Sequence, residues 1–356
     1  MLNWLKKHFV SPKRLNELGV LGLNERNLAC ISAHNPRKGF PLVDDKLQTK
    51  LLAQDYQIAT PALLGVIRHQ AEIAKFERYL PVQDGFVIKP AQGSGGKGIL
   101  VIQSAKEGRY LKASGEWVTQ QTVQRHLSNL ISGLYSLGGH PDVALIESLI
   151  HSSSDFADFT FEGVPDIRVI IYHGYPVMAM MRLSTRDSDG KANLHQGAIG
   201  VGIDLKLGTA IQAVQHDRPV YLHPDTGSAL HKLRIQNWQN LLELAARCYD
   251  MTGLGYLGAD LVVDAELGPL LLELNARPGL AIQMANGTGL KPRLQAIDQH
   301  RAKLKGPTEN YQTRVNLAQQ LFTQKPLFTQ KSPIPPFTNT QQVCSIKPAN
   351  VECNNQ

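Results

Sequence analysis

Apolar positions recur at helical spacing in a few long stretches and bunch into short runs elsewhere, and this contrast divides the chain. In the run LVDDKLQTKLLAQDY, Leu47, Leu51 and Leu52 share one helical face, and Asp44 or Asp45 supplies the N-cap. Residues 119–137 predict a second helix ended by Gly138 and Gly139, and NWQNLLELAARCYDMTG a third with a glycine stop. AEIAKFERYL has an amphipathic pattern, and short helices are expected around Lys13–Leu18 and near Asn24–Ser32. The runs IATPALLGVI, FVIKP, GILVIQ, ALIESLI, DIRVIIYH, YPVMAMMRL, GADLVVD and GPLLLELN predict strands. Several of these strands follow one another through glycine loops, without an intervening helix. That order predicts a mixed α+β fold of hairpins, not regular βαβ units. Past Lys325 the chain is rich in Pro, Thr, Asn and Gln, repeats LFTQK, and predicts a disordered tail.

Composition sets limits on this picture. At 356 residues and 42% apolar, the chain can fill two or three packed domains. Cys30, Cys248, Cys344 and Cys353 lie far apart without a CxxC pair, which argues against a disulfide framework or structural zinc. The opening MLNWLKKHFVSPKR carries charges where a secretory segment needs apolar residues, so a cytoplasmic location is expected. The net charge of +7 is unevenly spread: residues 1–40 carry seven basic against two acidic residues, and 291–331 carry eight against two. The middle is therefore net acidic, which argues against a specific nucleic-acid groove. The basic ends suit solubility, or an acidic protein or membrane-associated partner.

The segment QGSGGKG (Gln92–Gly98) satisfies GxGxxG, but a dinucleotide fingerprint must open a helix and a strand follows instead. Lys97 is followed by Gly98, not Ser or Thr, so this is not a Walker A loop. What remains is a glycine hairpin tip, Gly93, Ser94, Gly95, Gly96 and Lys97, with Lys89 before it. Either it is a plain flexible hairpin, or its backbone N–H groups close over phosphates.

Closing GADLVVD–AELG–PLLLELN symmetrically about the Glu266–Leu267 bond puts Asp264 opposite Pro269 and Asp260 opposite Glu273, with Asn275 on the face of Glu273. Facing carboxylates destabilise each other unless a cation lies between them, and hard oxygens in this number suit Mg²⁺. The bland alternative is two solvated acids. DIRVIIYH sets Asp166 and Arg168 on one face, Arg182 ends YPVMAMMRL, and the next loop carries Arg186, Lys191, Asn193 and His195, a set suited to a polyanion or acyl-phosphate.

Together these stretches, from about Asp44 to Gly289, resemble the ATP-grasp superfamily, and within it the RimK-related alpha-L-glutamate ligase-like proteins. The resemblance implies two α+β subdomains gripping ATP between them. DDKLQTKLLA is similar to the family's Asp-Lys helix start, which implies that Lys46 reaches phosphates. FVIKP implies the same for Lys89, beneath a glycine lid. ALIESLI resembles the hinge that holds adenine and ribose, implicating Glu147 and Ile150. DIRV, MMR and NLHQGA imply phosphate and acyl-phosphate contacts for Arg168, Arg182 and Asn193. ELNARPG implies that Asp260, Glu273 and Asn275 hold two Mg²⁺, or Mn²⁺. Two departures stand out: only about 45 residues precede Lys46, too few for the usual N-terminal α/β domain, and 104–143 is a long connector.

The expected organisation is a truncated N-terminal segment (1–43), an ATP-grasp subdomain with Lys46, Lys89 and the glycine flap (44–145), a second with hinge and metal site (146–300), and a C-terminal extension (301–356). The expected activity is an ATP-dependent carboxylate–amine ligase, with amino-acid and carboxylate substrates and a homo-oligomer left open. The rivals are a ligase for a small cofactor or wall precursor, and a nucleotide-binding scaffold without turnover.

Overall fold

Each apolar run expected to be extended contains a strand, and the strands sort into two antiparallel sheets. The computed structural model describes residues 10–81, 84–93, 95–306 and 309–328. The strands of the first sheet are β1 (Leu63–Ile67), β2 (Phe86–Pro90), β3 (Leu100–Lys106), β4 (Arg109–Lys112), β5 (Trp117–Thr119) and β6 (Ala144–Ser148), in the order β1-β6-β2-β3-β4-β5. The second sheet contains β7 (Asp166–Tyr172), β8 (Tyr175–Leu183), β9 (Ile199–Ile203), β10 (Ala210–Gln215), β11 (Arg218–Pro219), β12 (Tyr256–Asp264) and β13 (Gly268–Asn275), in the order β11-β10-β9-β8-β7-β12-β13. The longer helices are α1 (Lys46–Asp55), α2 (Gln120–Ile131), α3 (Trp238–Thr252), α4 (Lys291–Arg301) and α5 (Tyr311–Leu321). The pattern did not reveal β4, β5, β9, β10, β11, α4 or α5. β4, β5 and β11 are short, glycines break up β9 and glutamines β10, and α4 and α5 each bury only three side chains.

Each sheet carries its own core. On the first, Val123, Leu127 and Leu130 of α2 are spaced to face the sheet and are fully buried with Phe86, Ile88 and Ile102. Each such side chain contributes roughly 1.5–3 kcal/mol of burial. The larger core packs α3, through Leu241, Ala245 and Cys248, against the second sheet. A third, small cluster of Leu47, Ala91 and Leu145 seats α1 on the first sheet. Residues 10–43 lie against the second unit, with Leu21 N donating to Gln283 Oε1 at 2.8 Å and Asn35 Nδ2 to the Tyr256 carbonyl at 2.6 Å.

One local expectation is narrowed and others change. Asp45, not Asp44, caps α1, accepting from Leu47 N at 2.9 Å and Gln48 N at 3.1 Å, while Asp44 closes a separate short helix, Pro41–Asp44. The stretch 71–80 is no continuous helix. After the single turn Gln70–Ile73 it kinks into Phe76–Tyr79, which buries Phe76 and lays Tyr79 where Gly65 leaves no Cβ. α2 stops at Ile131, before Gly138. Gly133 takes φ +89° with the His140 carbonyl against it, a conformation and an approach that exclude a side chain. At the C-terminal end, Leu327 N donates to the Ile211 carbonyl at 2.7 Å and Phe328 packs beside Tyr221 and His231, so order extends a few residues past Lys325. The rest of the expected tail lies outside the described residues.

Candidate active site

A cleft between the sheets is lined by Lys46, Lys89, Gly93, Lys97 and Glu273, the first four beside the first sheet and the last on β13. Lys46 stands at the first turn of α1, whose start is fixed by the Asp45 cap and by Lys46 N donating to the Ala91 carbonyl at 2.9 Å. Its ammonium donates to the Gly93 carbonyl at 2.7 Å and lies 3.4 Å from Glu273 Oε2. One lysine thus joins the base of the glycine hairpin to the second sheet.

The hairpin has the backbone expected of a glycine tip. Gly95, Gly96 and Gly98 have φ of +63°, +74° and +75°; the first two have open space where a Cβ would be. Lys97 is exposed at the tip. Ser94 lies outside the described residues. At the hairpin base, Gln92 N donates to Asp142, which also accepts from Ser136 Oγ at 2.6 Å, and His126 contacts the Gly98 carbonyl at 3.0 Å.

Lys89 and Glu147 do not stand apart as separate phosphate and adenine contacts. Lys89 Nζ lies 2.7 Å from Glu147 Oε2, and Lys50, which the sequence reading left out, lies 2.9 Å from Oε1. All three side chains are buried. Lys50 sits one turn after Lys46 on α1, so the i, i+4 repeat of lysines on the face toward the sheet was the available signal. Ile150 lies half-buried just beyond β6. There the chain crosses to the second sheet, where His151 N donates to Asp264 Oδ2 at 2.9 Å and Ala265 N to the His151 carbonyl at 2.7 Å.

On the second sheet the register aligns Glu273, Asp260 and Arg168 across β13, β12 and β7, with Asp166 opposite Arg182 on β7 and β8. Asp260 does face Glu273, but Asp264 pairs with Gly268, not Pro269, because a bulge at Leu272 shifts the tip by one residue. The cation beside Asp260 belongs to the protein itself. Arg168 Nε and Nη2 donate to its two oxygens at 2.7 and 2.6 Å, and Arg182 Nη2 to Oδ2 at 2.8 Å. Arg182 also grips Asp166, with Nε donating to Oδ1 at 2.5 Å. Burial works to raise the pKa of Asp260, but the two guanidiniums outweigh it and hold the carboxyl well below the usual carboxylate range. Asp166, also buried and repelled by Asp260, is pushed the other way despite Arg182. Nη1 of each arginine has no acceptor among the described residues, so each clamped guanidinium keeps donors available.

Asn193 is not brought to this row. Its amide oxygen caps the turn Leu194–Gln196 by accepting from His195 N at 3.1 Å, its only side-chain bond among the described residues. Asn275 Oδ1 accepts from Arg277 N at 2.7 Å and shapes the turn after β13. Among the described residues no cluster of three or more His, Cys, Asp or Glu is placed for a metal ion. Two carboxylates opposite each other nevertheless present hard oxygens. Glu273 is half-exposed and loosely held by Lys46, and Asp260 Oδ1 accepts only one bond, so the donor set fits a small dication shared with phosphate oxygens.

Two antiparallel sheets closing on a cleft, with lysines and a glycine hairpin from one and carboxylates and arginines from the other, make up the ATP-grasp arrangement. Residues 25–299 match the sugar-transfer associated ATP-grasp family, and the chain belongs to it. No curated protein matches the chain in sequence. Similar solved structures include the ATP-grasp ligase PsnB with a minimal precursor, at 12% identity, covering 76% of this chain and 63% of that one, with a TM-score of 0.41. The D-cycloserine synthetase DcsG is 14% identical over 75% of this chain and 73% of its own, TM-score 0.41. A D-alanine–D-alanine ligase from Helicobacter pylori is 16% identical over 72% and 61%, TM-score 0.39. The chain thus spans under two thirds of the PsnB chain. No described helix is long and apolar enough to cross a membrane.

Proposed function

We propose that the protein is an ATP-dependent carboxylate–amine ligase. The observation that carries this reading is the Lys46 ammonium lying between the Gly93 carbonyl and Glu273, which puts the glycine hairpin and the carboxylate–arginine row on one cleft. Phosphates entering there meet the Lys46 and Lys89 ammoniums and the backbone of Gly95, Gly96 and Lys97. In the reaction a substrate carboxylate oxygen attacks the γ-phosphorus and ADP leaves. An amine nitrogen then attacks the acyl carbon, phosphate departs, and the amine gives up a proton as the amide forms.

The protein's part is positioning and charge neutralisation. Asp166 and Asp260 lock Arg168 and Arg182 in place, so their remaining N–H groups meet the transferred phosphoryl group without reorganising. Asp260, Glu273 and the remaining lone pair of Asn275 Oδ1 would hold Mg²⁺, and a bound ion would supply charge neutralisation to the nucleotide phosphates. Glu147 and Ile150 border the adenine side, and Asn193 contributes only if its loop moves inward.

The finer reading is addition of glutamate or another amino acid to a peptide, protein or small-molecule acceptor, as in RimK-related ligases. The family description adds a sugar-linked acceptor as a class to test. The experiment is ADP release from MgATP across amino acids, offered alone and with peptide or sugar-linked amines, with Arg168→Gln as control. Substrate-dependent ADP formation lost in that variant is expected. ATP binding without turnover across the panel would favour the scaffold.

A further inference from the structure

Lys50 is a buried cation that the phosphate chemistry does not use. It is 4% exposed, and its ammonium contacts Glu147 Oε1 at 2.9 Å, the Pro61 carbonyl, and Thr60 Oγ1 at 3.5 Å. Burial lowers its pKa against the pull of Glu147. Lys89, on the same carboxylate through Oε2 at 2.7 Å, lies at the edge of the nucleotide cleft, whose lining includes it. Glu147 therefore has two ammoniums where one would neutralise it, and only one of them lines the cleft. A buried carboxylate stripped of its only counter-ion is strongly disfavoured, whereas one that loses one of two is not. We propose that Lys50 is a positioning residue that holds Glu147, so that Lys89 can turn from Glu147 to a nucleotide phosphate without stranding a buried anion.

The inference rests on the nucleotide-site reading above. Without Lys50, Lys89 is retained by Glu147 and phosphate must compete for it. Neutralising Glu147 removes that competition, so the effect of Lys50 on nucleotide affinity depends on the Glu147 charge. A purely structural lysine has no such dependence.

The test is calorimetric titration of the full chain with MgADP, for wild type, Lys50→Met, Glu147→Gln, the double variant and Lys50→Arg. Lys50→Met is expected to weaken binding about tenfold or more. In the Glu147→Gln background the same change is expected to cost less than about threefold, and Lys50→Arg to bind within about threefold of wild type. If Lys50→Met does not fold, Lys50→Gln in the same two backgrounds decides the matter, because it removes the charge while keeping a donor for the Pro61 carbonyl. Equal weakening in both backgrounds would mean that Lys50 acts on the nucleotide or the fold directly and overturns the inference, as would unchanged affinity in both. Absence of MgADP binding by the wild type would instead overturn the nucleotide reading itself.

Discussion

Asp260 accepts three charge-assisted hydrogen bonds from two guanidiniums while only 1% exposed. From the sequence, neutralising it relieves repulsion from Glu273 and leaves stability unchanged or improved. The structure reverses the sign, because Asp260→Asn leaves two nearly buried arginines without their shared counter-ion. We expect a loss of roughly 3 kcal/mol in urea denaturation, and loss of ADP formation. Glu273→Gln, at a half-exposed carboxylate 3.4 Å from Lys46, is expected to move stability by no more than about 0.5 kcal/mol while also removing activity. A stable Asp260→Asn protein would show that the arginines find other partners. His173 provides the pH test. Burial, with Arg301 and His34 nearby, lowers its pKa from 6.5 to about 3. The unfolded chain then takes up a proton below about pH 6.5 that the folded chain refuses, so stability falls as pH drops from 6.5 toward 3. Discounted for partial solvent screening, this is on the order of 1 kcal/mol at pH 5. His173 sits at φ +50° in the β7–β8 turn beside Gly174, a conformation asparagine tolerates, so His173→Asn should keep the turn and flatten the pH 7-to-5 stability slope. An unchanged slope would assign the dependence to His34, His126 and His223, whose pKa values burial also lowers.

At the scale of elements, the glycine hairpin concentrates its demands at one end. Gly95 and Gly96 need only a positive φ, but Gly98 combines φ +75° with the Tyr135 ring 2.6 Å from where a Cβ would sit. Alanine at Gly95 or Gly96 should cost about 1 kcal/mol. Gly98→Ala should cost about 2–3 kcal/mol or displace Tyr135, and thermal melts of the three variants would rank them. Equal losses would mean that the hairpin base yields as easily as its tip. The same region shows what a sequence can specify. Strand alternation gives the shared face of Glu273 and Asn275, whereas Asp260 meets Glu273 because the bulge at Leu272 offsets a tip that closes one residue away from the symmetric position. Alternation and symmetric closure missed the Leu272 bulge, since an extra residue leaves the apolar run LLLEL looking the same. They also missed the partners of Glu147 and Asp260, because Lys50, Arg168 and Arg182 arrive from elements whose relative placement no local pattern encodes.

At the scale of the whole molecule, two sheets with separate cores approach each other across a cleft whose walls carry opposite chemistry. Among the described residues, the polar ties between the two sides of this cleft include the Lys46–Glu273 and Asp44–Arg277 pairs, Leu271 N donating to the Ala59 carbonyl, and the bonds of His151 with Asp264 and Ala265, where the chain crosses from β6 to the β12–β13 hairpin. A half-exposed pair such as Lys46–Glu273 contributes little by itself. A ligand that places phosphates against the first sheet and shares a cation with the second adds ties that the apo protein lacks, and it binds only the folded chain. By linkage, MgADP at a hundredfold excess over its dissociation constant should add about 2.7 kcal/mol and raise the melting temperature by several degrees. EDTA should remove much of that shift, since the second sheet is reached through the cation. Lys89→Ala should shrink it further by withdrawing one buried ammonium from the phosphates. A shift that persists in full with EDTA would mean that the nucleotide rests on the first sheet alone and that the Asp260–Glu273 row serves another ligand. No shift at millimolar MgADP would remove the nucleotide from the cleft altogether.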